Sequence, residues 1–141
     1  DLDLLLDILV EASAHYLKAQ VDAGANALMI FESWAEGLPS DLMDRLVIKP
    51  NAKLINRLRE LGVQVPVIGF PRGAATKLPD YVQNVPANAF GLDTAIDDRV
   101  LEILSAYADR PHIFNLGHGV TPATPIPHVE RVVEIVRNWA G

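Results

Sequence analysis

The sequence contains no cysteine, which removes disulfide frameworks and thiolate metal sites from consideration. It is short of basic charge: 12 Lys and Arg stand against 18 Asp and Glu, a net charge of −6. A nucleic-acid binder that lives on phosphate attraction needs a basic face, so that class is disfavoured. No apolar run is long enough to span a bilayer. No basic-then-apolar leader opens the chain, which begins Asp1-Leu2-Asp3. The expectation from these absences is a soluble, cytoplasmic protein. Phosphate-cradling signatures are missing too, since neither Gly-x-Gly-x-x-Gly nor a Walker A pattern occurs. What is present is 141 residues, 50% of them apolar and 21% charged, enough for one ordinary domain with its own core.

Apolar residues Leu4, Leu5, Ile8, Leu9, Ala12, Tyr16 and Ala19 recur at helical spacing and predict an amphipathic helix over 3–23, with Asp3 as its N-cap and Gly24 as its stop. Ala27–Phe31 is a short continuous apolar run, the mark of a strand buried on both faces of a parallel sheet. A helix is expected over 50–61, then a second buried strand over 65–70 and a helix near 76–84. A strand at 89–92, a helix over 98–108, a strand at 112–116 and a last helix over 126–139 complete the series. Four strands alternating with helices predict an α/β fold built of βα units on a parallel sheet. Right-handed crossovers place all the strand C-termini on one edge, where the sites of such sheets lie.

The residues that follow the predicted strands are therefore the candidates. His118 lies between Gly117 and Gly119, with backbone free to approach a ligand and an imidazole that titrates near neutrality. The plainer alternative is a turn with His118 in solvent. Ser33 can donate to an anion, yet no Gly-x-Ser-x-Gly elbow surrounds it, so it does not read as a nucleophile. Its neighbour Glu32 alternates with it, so one of the two faces the site. Trp34 is expected to pack against a neighbouring helix rather than stack on a ligand. Arg72 is the one basic residue at a strand end, suited to a bidentate grip on carboxylate or phosphate, with a solvated surface role as the alternative. Asp93 either orients a partner or caps the next helix. No histidine pairs with another histidine or an acid at ligand spacing, so no metal site is expected.

Four of these strings, Ile30-Phe31-Glu32-Ser33-Trp34-Ala35, Gly69-Phe70-Pro71-Arg72-Gly73, Gly91-Leu92-Asp93-Thr94 and Asn115-Leu116-Gly117-His118-Gly119, stand in the order found in uroporphyrinogen decarboxylases, and the sequence resembles that family over nearly its whole length. The resemblance covers the C-terminal half of the family's protein. It implies a (β/α)8 TIM barrel, of which residues 1–141 would be a partial barrel of about four βα units within one barrel domain. It also implies a cytoplasmic homodimer that needs no cofactor or metal. The activity implied is decarboxylation of the four acetate side chains of uroporphyrinogen to give coproporphyrinogen, in haem and porphyrin biosynthesis. Ser33 matches a substrate-binding serine and His118 a substrate-binding histidine that can also act as proton donor. Arg72 stands where the family carries a basic residue, and Asp93 lies in its Gly-Leu-Asp motif.

The chemistry agrees with that substrate, an octacarboxylate that calls for hydroxyl, imidazolium and guanidinium donors. Loss of carbon dioxide from a pyrrole acetate needs protonation of the ring carbon and then of the new methylene, and an acid near neutral pKa suits the second transfer.

The departures from the family are equally specific. Its arginine cluster, its essential Asp and its binding Tyr belong to the half not represented, so this polypeptide alone is expected to be inactive. One strand–helix unit, which takes roughly 30 residues, is missing between Asp97 and Asp98. It is either deleted or omitted at that join, and omission is favoured because loss of one barrel strand would break the sheet. Two other readings compete. A methyltransferase-like barrel of the same superfamily is disfavoured because its zinc site needs Cys. A non-catalytic, doubly wound domain that binds a ligand or partner is disfavoured by the absence of cobalamin and dinucleotide fingerprints.

Overall fold

The computed structural model describes residues 2–91, 105 and 122–139. Helix α1 (Leu2–Asp22) leads into strand β1 (Leu28–Glu32). A helical stretch follows in three parts: α2 (Ser40–Met43), a π-helical segment (Asp44–Ile48) and α3 (Lys49–Glu60). Then come β2 (Val67–Pro71), a 3₁₀ turn (Ala75–Lys77), α4 (Leu78–Asn84), β3 (Ala89–Phe90) and α5 (Ile126–Arg137). The predicted helix over 98–108, Ser105 aside, and the predicted strand at 112–116 lie outside the described residues.

Two local expectations are corrected. Asp3 is not the N-cap of α1, because the helix begins at Leu2 and Asp3 already belongs to its first turn. There its carboxylate suits the positive end of the helix dipole, and both of its oxygens accept from Arg45 Nη2, at 2.9 and 3.0 Å. The second correction concerns residues 40–49, which are helical although the sequence predicts a helix only from residue 50. Pro50 lacks an N–H, and its ring crowds the carbonyl four residues back, so it does not fit inside a regular α-helix. The π-helical segment just before it relieves that conflict. There the Lys49 N–H reaches the Asp44 carbonyl five residues back, and the turn is wider.

The three described strands form one sheet, parallel as predicted, and their order is β1-β2-β3. Leu28 pairs with Val67 and the register runs through to Glu32 opposite Pro71; Ile68 and Gly69 pair with Ala89 and Phe90. Side chains alternate across such strands. Leu28, Ile30, Val67 and Phe90 join Val10 and Ala14 of α1, Ile55 and Leu58 of α3, and Tyr81 and Val82 of α4 in one buried cluster. Burying a side chain of the Val or Leu class contributes about 1.5–3 kcal/mol, so this layer holds the described fold together. Gly69 is a fitted position within it, since a Cβ there would meet the Tyr81 hydroxyl oxygen at 3.0 Å. Glycine at mid-strand lets the ring of α4 lie directly on the sheet.

The opposite face differs. Phe70 is only 4% exposed yet stands outside that cluster, and its ring meets Phe31 edge-on with centroids 5.7 Å apart. Phe31 itself is 63% exposed. A Cβ on Gly91 would meet Phe70 and Met29, so all of these share the second face. The continuous apolar run of β1 thus has one face under helices, while on the other Phe31 stands exposed. No helix among the described residues is long and apolar enough to cross a membrane.

Candidate functional site

β1 ends at Glu32 and β2 at Pro71, and these two residues are register partners. Ser33 and Arg72 are therefore the next residues on two neighbouring parallel strands, whose spacing is about 4.8 Å. The ladder carries past the last pair: the Arg72 N–H donates to the Glu32 carbonyl oxygen at 2.9 Å. Ser33 and Arg72 are the first turn residues beyond the two strands. Both are exposed. The structure thus brings two of the sequence-predicted donors to one edge, above the apolar Phe31–Phe70 pair. A hydroxyl and a guanidinium there can hold carboxylates at the rim of an apolar body.

Glu32 shares a set of alternating positions with Leu28 and Ile30, and is half-buried. Its Oε1 accepts from the Trp34 N–H at 3.4 Å. Behind the same end of the sheet lies the Tyr81 hydroxyl, with no hydrogen-bond partner among the described residues. Burial pushes its ionisation well above the ordinary tyrosine range, and the negative charge of Glu32 adds to that.

The expected packing of Trp34 is not found. Its side chain is 83% exposed, because the turn after β1 carries it off the sheet before it can reach a helix. The two loops instead meet through small and main-chain atoms. Gly73, at φ +76°, lies so close to Glu36 that a Cβ on it would come within 2.6 Å of the Glu36 Cβ. Sequence reasoning missed this contact and the role of Glu32, although a Gly two residues past a strand end was a signal for a close approach. Asp93 and His118, with their neighbours Thr94 and Asn115, lie outside the described residues. Among the described residues no three His, Asp or Glu side chains gather into a set that could hold a metal ion.

Comparison with known proteins converges on one family. The family model described as Uroporphyrinogen decarboxylase (URO-D) matches residues 1–104 and 94–139. A protein of Hyphomonas neptunium named uroporphyrinogen decarboxylase is 48% identical over 169 aligned positions, which take in 98% of this chain and 49% of that protein. Proteins of the same name from Caulobacter vibrioides and Phenylobacterium zucineum are 45% and 41% identical, over 96% of this chain and 47% and 48% of theirs. The chain spans about half the length of the curated relatives it matches. The chain belongs to the uroporphyrinogen decarboxylase family.

Proposed function

We propose that this chain carries part of the site at which uroporphyrinogen loses carbon dioxide from its four acetate side chains to give coproporphyrinogen. The observation that carries the proposal is the placing of Ser33 and Arg72 on adjacent strand ends beside the exposed Phe31 ring, which packs edge-on against the buried Phe70. A tetrapyrrole is an apolar ring with carboxylates around its rim, and this edge offers a surface for each part. Ser33 and Arg72 would bind substrate carboxylates. His118 would bind substrate and supply a proton to the methylene left after decarboxylation, and Asp93 would complete the substrate contacts.

The architecture proposed is part of a (β/α)8 barrel, acting as a cytoplasmic homodimer, with residues 1–141 as the C-terminal half of one barrel domain. The face of the sheet that carries Phe31 would then be the barrel interior. A missing strand–helix unit between Asp97 and Asp98 is part of the same proposal. In its support, the 169 positions aligned with the Hyphomonas protein exceed the 141 residues of this chain. The excess is about the length of one such unit, roughly 30 residues. The two family matches also meet within 94–104.

The test is a fluorescence titration of the chain with uroporphyrin, the oxidised octacarboxylate, alongside a turnover assay on uroporphyrinogen. We expect binding without turnover, since the family's essential Asp lies in the other half. Arg72→Ala should weaken binding about tenfold or more, as loss of a charge-assisted hydrogen bond of about 1.5–3 kcal/mol requires. Absence of uroporphyrin binding, or equal binding by Arg72→Ala, overturns the proposal.

A further inference from the structure

We propose that Glu32 is the positioning residue of this edge, its main-chain and side-chain oxygens together holding the Ser33 and Arg72 loops at a fixed spacing. The inference rests on the reading above, in which Ser33 and Arg72 are the substrate donors.

Three contacts converge on these two loops. Pro71, the register partner of Glu32, ends the strand, and the next rung is made by the Arg72 N–H to the Glu32 carbonyl oxygen at 2.9 Å. That bond sets the level of Arg72 against β1. On the other side of Glu32, its Oε1 accepts the Trp34 N–H at 3.4 Å and closes a turn around Ser33. Without that acceptor, nothing on the described residues receives the Trp34 N–H, and the turn loses its local constraint. Further out, Gly73 and Glu36 pack main chain to main chain, where only glycine fits at φ +76°. The loops are thus joined at two points with Ser33 and Arg72 near them; the Glu32 main-chain oxygen makes the first, and its carboxylate braces the turn on the Ser33 side.

Alternation places Glu32 with Leu28 and Ile30, on the face that the helices cover. Its part is therefore played through its neighbours, and what it supplies is an acceptor oxygen rather than a negative charge. That distinction is testable, because glutamine keeps the acceptor and removes the charge.

The experiment follows backbone amide signals of the full chain and, in parallel, its affinity for uroporphyrin. Glu32→Ala should shift the Ser33 and Trp34 amides and weaken uroporphyrin binding about 3- to 10-fold, the loss expected for one hydrogen bond. Glu32→Gln should restore both. In the unmutated chain the Trp34 amide should be protected from hydrogen exchange, and Glu32→Gln should keep that protection, a readout that does not depend on the alanine variant folding. The proposal is overturned if Glu32→Ala leaves amides and affinity unchanged, if Glu32→Gln binds as weakly as Glu32→Ala, or if the Trp34 amide of the unmutated chain exchanges freely. If the unmutated chain binds no uroporphyrin, the functional reading fails by itself, and the amide signals still decide the role of Glu32.

Discussion

Arg59 donates to the side-chain oxygen of Asn88 at 2.8 Å, and that same oxygen accepts the Val67 N–H at 2.9 Å. One side-chain amide thus ties α3 to the start of β2, while the Asn88 N–H donates to the Val67 carbonyl at 2.8 Å. Arg59 also donates to the carbonyls of Val63 and Val65, at 2.8 and 2.9 Å. All of this lies at the N-terminal end of the strands, opposite Ser33 and Arg72. In parallel α/β sheets that end serves stability rather than chemistry.

The first prediction follows from that placement. Arg59→Ala and Asn88→Ala should each destabilise the chain by about 1–3 kcal/mol, since each leaves partly buried carbonyls or an N–H without a partner. Because they share one network, the double variant should cost clearly less than the sum of the two. Uroporphyrin affinity measured on folded protein should not change. Urea unfolding of the four proteins supplies the cycle, and strict additivity would count against a shared network.

Gly73 supplies the second prediction. Gly62 and Gly73 both have positive φ, +84° and +76°, but nothing lies within 4 Å of a Cβ on Gly62, whereas one on Gly73 meets Glu36 at 2.6 Å. Gly62→Ala should therefore cost only the backbone strain, about 1 kcal/mol. Gly73→Ala should cost more than Gly62→Ala, and the excess measures the contact between loops. It should also weaken uroporphyrin binding, which Gly62→Ala should not. Equal denaturation midpoints for the two variants would show that the loops part freely.

These features differ in how far the sequence announced them. The apolar runs of β1 and β2 marked the strands to within two residues, and the Gly and polar residues after them marked the edge where Ser33 and Arg72 stand. Such signals are local, carried by neighbours in the chain. Glu32 as a clasp was not legible, because it depends on the register that sets Glu32 opposite Pro71, a relation between residues 39 apart. The helix expected over 50–61 begins earlier for a related reason: a π-helical turn accommodates Pro50 and lets the helical stretch run from Ser40. The exposure of Trp34 likewise follows from the path of a turn, which residue type does not encode.

A third prediction concerns the ladder of charges between α1 and the helical stretch formed by the π-helical segment and α3. Asp3, Asp7 and Glu11 recur every four residues along α1 and meet Arg45, Lys53 and Arg57 at 2.9, 2.6 and 2.8 Å. The Asp7–Lys53 pair is solvent-exposed, so Asp7→Asn should cost no more than about 1 kcal/mol. Raising the salt from 0.1 to 1 M shortens the screening length from about 10 to 3 Å and should remove much of that cost. Thermal melts of both proteins at the two salt levels provide the comparison, and a salt-independent difference would mean that Asp7 acts through packing.

The last prediction turns on the buried Tyr81 hydroxyl, which finds no partner among the described residues and is 0% exposed. Burial first, and the charge of Glu32 second, raise its pKa above the ordinary value. The unfolded chain begins to ionise this tyrosine near its ordinary pKa of about 10, while the folded chain keeps it neutral. The folded state then binds more protons than the unfolded one, so stability is full below about pH 10 and falls as pH rises beyond it. Tyr81→Phe keeps the ring against Phe90 and removes an oxygen that has no partner to lose. At pH 7 it should change stability by less than about 1 kcal/mol, in either direction. Between pH 10 and 11 it should flatten the alkaline decline seen in the unmutated chain. Denaturant midpoints across that range decide the matter: parallel declines in the two proteins would mean that the hydroxyl is satisfied or solvated in the folded state.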